Sequence, residues 1–161
     1  RKLNGMFGKD TIQFNTTITN LDSYKTFGVL SNRKMQEAAN REIKTMHTKC
    51  VSADELISSL SGGNQQKVII GKWLERQPQV FLLDEPTRGI DIGTKTEIQE
   101  LVLKLAKEGK SVTFISSEID EMIRTCSRLI VMRDLKQVGE LSGNDLNQTK
   151  IMETIAGGEK Q

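Results

Sequence analysis

Three short apolar runs, Val80 to Leu83, Val112 to Ile115 and Leu129 to Met132, constrain the fold more than any other feature of the chain. Each is too brief for a helix and reads as a buried parallel strand. Between the first two, Ile98, Leu101, Val102 and Leu105 recur at i, i+3, i+4 and i+7 until Gly109 supplies a C-terminal stop. Strand, helix, strand, helix, strand predicts right-handed crossovers in an α/β sheet, whose ligands sit beyond the carboxyl ends of the strands. Polar residues at those ends are therefore the first candidates for chemistry.

Ahead of Pro78 the pattern is helical. Met35, Ala38, Ala39, Ile43 and Met46 predict a helix from Asn32, and a second helix starts just after Gly62-Gly63 and runs to Arg76, where Pro78 forbids continuation. Before about Ser31 no period is sustained, and loops with at most a short strand or helix are expected. After the last apolar run, a hairpin through Arg133 to Lys136 leads into Gln137 to Leu141, and a polar helix from about Gly143 to Ala156 ends at Gly157-Gly158. The expected division is about 1–76 for a helical region, 77–142 for the sheet region and 143–161 for a C-terminal helix and tail.

With 161 residues the chain has room for one domain and hardly two. A net charge of +2 argues against a dedicated nucleic-acid binder. No run approaches the roughly 18 apolar residues of a membrane span. Two cysteines, Cys50 and Cys126, stand far apart with no companion histidines, which suits free thiols and excludes a zinc framework. The first residue is Arg1 rather than Met, so the chain is expected to be part of a longer product.

Two constellations carry chemistry. Leu60-Ser61-Gly62-Gly63-Asn64-Gln65-Gln66-Lys67 places a hydroxyl and two glycines where a helix begins. There the unpaired amides and the positive dipole end can receive an anion, or Ser61 can simply cap its own helix. In Val80-Phe81-Leu82-Leu83-Asp84-Glu85-Pro86-Thr87 an apolar strand delivers two adjacent carboxylates at its carboxyl end. Such neighbours repel each other, and their placement suits a cation or a proton: Asp84 as a ligand to Mg²⁺, Glu85 as a general base toward water.

The two patterns in this order, with one helix between them, resemble the nucleotide-binding subunits of ABC transporters. LSGGNQQKV looks like their signature motif, VFLLDE like Walker B, and Gly89-Ile90-Asp91 like the D-loop. The longer string LSGGNQQKV, LLDEPTRGIDIGTK and ISSE is similar to the second half of the tandem ATPases that power bacterial monosaccharide importers. Arg1-Lys2 and Gly5-Met6-Phe7 resemble the segment after that family's Q-loop. The resemblance implies a P-loop NTPase-like ABC ATPase core, a parallel sheet with flanking helices, plus a helical subdomain. It implies ATP and Mg²⁺ as ligands and a second ABC ATPase domain, membrane permease subunits and, indirectly, a sugar-binding protein as partners, with the chain peripheral at the cytoplasmic face of the cell membrane. Ser61, Gly62, Gly63, Asn64 and Gln65 would then contact the partner domain's ATP, while Asp84 and Glu85 serve this domain's own site.

Two departures qualify the mechanism. No GxxGxGK[ST] phosphate loop occurs in the sequence, the family placing it upstream, so the Walker A portion and most of the binding energy for ATP are missing. Where most ABC ATPases carry a switch histidine this chain has Ser117. A serine supplies no imidazole to a γ-phosphate, and Ser117 with Asp120 also fits a helix cap. Other residues read as structural: His47 as a surface histidine, Trp73 as core, and Met6, Phe7 and Phe14 as either core or an exposed docking patch. Rival functions are a non-transport ABC ATPase acting on nucleic acid or the ribosome, and a truncated interaction module without enzymatic activity.

Overall fold

The computed structural model describes residues 5–157, which form two compact units. The first takes in the residues up to Gln79 together with Gly89–Lys95, and the second Val80–Arg88 with the residues from Thr96 onward. Arg1, Lys2 and Gly158 lie outside the described residues.

The first unit is helical. Helix α1 (Ile12–Thr17) is capped by the Thr11 hydroxyl, which accepts from the Phe14 amide at 3.1 Å. A tight helical turn, Ile18–Tyr24, follows, then a short hairpin of β1 (Lys25–Thr26) and β2 (Val29–Leu30), and then α2 (Asn32–Thr45), capped by Ser31. Helix α3 (Gly62–Leu74) starts at Gly62, with Ser61 as its cap, and stops two residues short of the expected Arg76. Ile12, Ile57, Leu60 and Val68 form the core, with Met6 and Ile43 packed against it.

More order exists before Ser31 than the absence of a period predicts. Asn15 is buried, and its side chain accepts from the Phe7 amide at 2.7 Å and donates to the Phe7 and Thr11 carbonyls at 3.0 Å each. Thr17 donates to the Gln13 carbonyl at 2.8 Å. Because these polar side chains are satisfied locally they enter the interior at little cost, and α1 has no apolar stripe to announce it.

Glu42 on α2 lies beside Gly71 of α3, at 3.4 Å from where a Cβ would stand, and its Oε2 is buried with no hydrogen-bond partner among the described residues. Burial, helped by the nearby Glu75 carboxyl and opposed by Arg41, pushes its pKa up to about 7. Glu75 itself accepts from the Tyr24 hydroxyl and from Arg41, both at 2.8 Å. Since Glu42 binds its proton more tightly when folded than when unfolded, its contribution is full below the ordinary glutamate range and is lost as pH rises toward 7. Glu42→Gln is therefore expected to stabilise the protein at pH 8, by on the order of 2 kcal/mol, and to change little at pH 4. Melting curves of both proteins at the two pH values check this.

In the second unit β3 (Val80–Asp84) and β4 (Ser111–Ile115) pair in parallel, in register from Val80 opposite Ser111 to Asp84 opposite Ile115. Helix α4 (Ile92–Lys107) makes the crossover; its residues through Lys95 belong to the first unit, and Ile98, Val102 and Leu105 are buried. The two strands are buried on one face only: Phe81 and Phe114 are covered, while Val80 and Leu82 are 67% and 71% exposed.

The third apolar run departs from expectation. Strand β5 (Arg128–Arg133), which follows α5 (Ile119–Thr125), pairs antiparallel with β6 (Lys136–Ser142) in a separate two-stranded sheet. The turn residues Asp134 and Leu135 both have positive φ, 50° and 63°, the geometry that suits a two-residue hairpin. Buried Leu129 and Val131 alternate with exposed Ile130 and Met132, so this apolar run is a one-faced strand. Its buried face meets Ile151 of α6 (Gln148–Gly157), and Gly139 approaches Thr154 so closely that no Cβ fits between them. The last helix begins later than Gly143, where the chain makes only a single tight turn, Gly143–Asp145. Both cysteines are free thiols, each pushed above the usual range by burial.

Candidate functional site

At the start of α3, Ser61 is exposed and its Oγ accepts twice from Asn64, from the amide at 3.4 Å and from Nδ2 at 3.0 Å. Both bonds use the hydroxyl as acceptor, so its proton remains to donate outward. Gly62 is exposed as well, with open space where a Cβ would stand.

The next three residues are engaged within the unit. Asn64 Oδ1 accepts from the Lys49 amide at 2.9 Å, and buried Gln65 donates through Nε2 to the Leu60 carbonyl at 2.9 Å. A Cβ on Gly63 would stand 2.6 Å from Thr94 Oγ1 and 3.1 Å from Asp91 Oδ2, so only glycine permits this approach. Asp91 in turn caps α4, accepting from the Thr94 amide at 2.9 Å and from the Thr94 hydroxyl at 2.8 Å. Those two bonds hold its carboxyl below the usual aspartate range. Gly63 and Asp91, read in separate motifs of the sequence, thus meet through Thr94, to which that reading gives no role. Gly89 stands exposed at a φ of 70°.

In the second unit Asp84 closes β3 with its side chain exposed, and Glu85 follows at a φ of 47°. A non-glycine residue in the left-handed region stores strain, and such outliers gather at functional sites. The Glu85 amide donates to the Ile115 carbonyl at 2.9 Å, and its Oε1 accepts from the Ser117 amide at 3.1 Å. The carboxyl ends of β3 and β4 are thereby joined through the two residues the sequence singled out. Ser117 is not the cap it resembles. Helix α5 has Glu118 at its cap position without a side-chain bond, and the turn is closed instead by Ser116, whose Oγ accepts from the Glu118 amide at 3.0 Å. Thr87, which closes the strand-end run without a role of its own, and Glu121, which belongs to no motif, are both buried, and their side chains are bonded at 2.6 Å.

The remaining candidates separate. Trp73 is half exposed rather than core, with Lys72 Nζ 5.2 Å from its ring centroid, a spacing that favours a cation over an aromatic face. His47 is exposed, and its carbonyl accepts from Lys67. Phe7 is half exposed and meets Phe14 edge-on at 5.4 Å, while Met6 joins the core. No helix among the described residues is long and apolar enough to cross a membrane, and no group of three or more His, Cys, Asp or Glu among them is placed to hold a metal.

The galactose/methyl galactoside import ATP-binding protein MglA of Treponema denticola is 60% identical over 156 residues, which is 97% of this chain and 31% of that protein. The protein of the same name from Treponema pallidum is 55% identical, over 97% of this chain and 32% of its own length. A putative ribose/galactose/methyl galactoside import ATP-binding protein of Halalkalibacterium halodurans is 38% identical, over 98% and 30%. The chain therefore spans about a third of the length of the relatives it matches. Among solved structures, an ATP-binding cassette captured as a dimer in a post-hydrolysis state with ADP and Pi superimposes with a TM-score of 0.71 at 25% identity, covering 85% of this chain and 58% of the other. A nucleotide-free cassette from an ABC transporter gives 0.77 at 20% identity, over 96% and 64%, and shows the fold alone. A family model described as ABC transporter matches residues 1–88, more than half of the 161, and the chain belongs to that family.

Proposed function

We propose that this chain is part of the ATP-binding and ATP-hydrolysing motor of an ABC importer for simple sugars. The observation that carries the reading is the exposed Ser61 hydroxyl, free to donate at the N-terminus of the 13-residue helix α3. Helix dipole, open Gly62 and a hydroxyl donor together suit the γ-phosphate of a nucleotide held by another ABC ATPase domain. Gly63, Asn64 and Gln65 support that terminus from behind, and Gly89 and Asp91 tie it to the start of α4.

Asp84 and Glu85 serve this domain's own site. A single exposed carboxylate such as Asp84 fits Mg²⁺, which takes one or two carboxylates and completes its shell with waters and phosphate oxygens. When bound there, the ion would neutralise charge on the phosphates. Glu85 has Oε1 engaged with the Ser117 amide, which leaves Oε2 to take a proton from water. Ser117 offers no imidazole, so hydrolysis at this domain's own site is slower than at its partner's. The names of the similar proteins favour galactose-type sugars as the imported substrate; a permease in the membrane, a sugar-binding protein beyond it and a peripheral position at the cytoplasmic face are what the family resemblance implies.

The division of labour makes this chain a poor nucleotide binder by itself. It contains no phosphate loop, and its strand-end carboxylates present negative charge to a polyanion. Calorimetry of the isolated, folded chain with Mg²⁺ and ATP is expected to give no measurable heat at low micromolar nucleotide. A micromolar Kd, about −8 kcal/mol, would overturn the assignment of the carboxylates to an incomplete pocket.

A further inference from the structure

Glu121 is 4% exposed on α5, and its Oε2 accepts two hydroxyl bonds from two different loops. Thr87 Oγ1 donates to it at 2.6 Å and Ser116 Oγ at 2.9 Å. Thr87, itself 1% exposed, lies two residues after Glu85, and Ser116 immediately precedes Ser117. One carboxyl oxygen therefore pins the chain just beyond the strained Glu85 and just before the switch-position serine, while Glu85 and Ser117 are bonded directly to each other. A left-handed glutamate persists only where its surroundings over-determine it, and this three-cornered arrangement does so. An apolar residue at 121 would fill the space equally well but would leave both hydroxyls without their acceptor.

We propose that Glu121 is a positioning residue for the nucleotide-facing pair, holding Glu85 and Ser117 in place through Thr87 and Ser116 without touching nucleotide itself. The proposal rests on the reading of Glu85 and Ser117 as facing ATP.

Hydrogen–deuterium exchange on the full-length protein tests it, because exchange reads the local opening of a segment without requiring turnover. In Glu121→Ala, the amides of residues 85, 87, 88 and 115–118 are expected to exchange about tenfold faster than in wild type, with β5, β6 and α6 unchanged. Glu121→Gln retains an acceptor oxygen and restores protection. Thr87→Val and Ser116→Ala each remove one bond while keeping Glu121, and each loosens the same segments if Glu121→Ala fails to fold. Unchanged exchange in these variants, or acceleration spread equally over the whole unit, would overturn the proposal. The reading of Glu85 as base is tested separately: in protein whose partner-domain base is already replaced, residual ATP hydrolysis left undiminished by Glu85→Gln removes that reading whatever the exchange experiment gives.

Discussion

Ser61→Arg in the full-length protein is expected to abolish sugar uptake while leaving the melting curve close to that of wild type. Ser61 is exposed and its Oγ accepts only from Asn64, so the cap that Arg removes is a single local one. Loss of such a cap costs about 0.5 to 2 kcal/mol. Function responds on another scale, because an arginine at the tip of α3 blocks the approach of a nucleotide and of the domain carrying it. Ser61→Ala separates the two roles further. A cap alone predicts a modest loss of stability and normal turnover, whereas a donor to developing phosphate charge predicts turnover lower by about 10² to 10³ in folded protein. Wild-type uptake by Ser61→Arg would reduce LSGGNQQKV to a helix start.

Glu85→Gln is expected to slow steady-state ATP hydrolysis less than the equivalent substitution in the partner ABC domain. The reason lies at β4. Ser117 presents its backbone amide to Glu85 at 3.1 Å and has no imidazole to give a γ-phosphate, so this domain's own site begins from a weakened state. In the proposed arrangement the partner's site, completed by Ser61 and Gly62, would carry most of the turnover. Removing its base is expected to cost most of the steady-state rate, and removing Glu85 less than about half of it. A larger loss from Glu85→Gln would reverse the assignment of sites.

What the sequence made legible follows from periodicity and from local order. Helices α2, α3 and α4 each carry an apolar pattern near the helical period, and β3 and β4 were recognised as apolar runs joined by a crossover. Strand β5 was mistaken for a third parallel strand because Leu129 to Met132 is apolar on both faces, although only Leu129 and Val131 are buried. Helix α1 falls in the stretch expected to hold at most a short strand or helix, and its bounds are not legible there because Asn15, Thr16 and Thr17 fill interior positions that periodicity reserves for apolar residues. Trp73 is half exposed while its neighbour Lys72 is buried and donates to the Gly5 carbonyl at 2.8 Å, an arrangement no hydropathy pattern contains. Motif residues stand out because they are contiguous in sequence. Thr94 lies within such a run, but its approach to Gly63 crosses the fold, and Glu121, far in sequence from Thr87, leaves no contiguous signal.

Ser61 is expected to reach a nucleotide bound by another domain. A photoreactive ATP analogue activated at its γ-phosphate, bound to the full-length protein with Mg²⁺ and mapped by peptide mass spectrometry, tests it most directly. Label is expected on the stretch Leu60 to Lys67, and it is expected to vanish when the phosphate-loop lysine of the partner domain is replaced. Absence of label from that stretch, with the partner's phosphate loop labelled normally, would contradict the account.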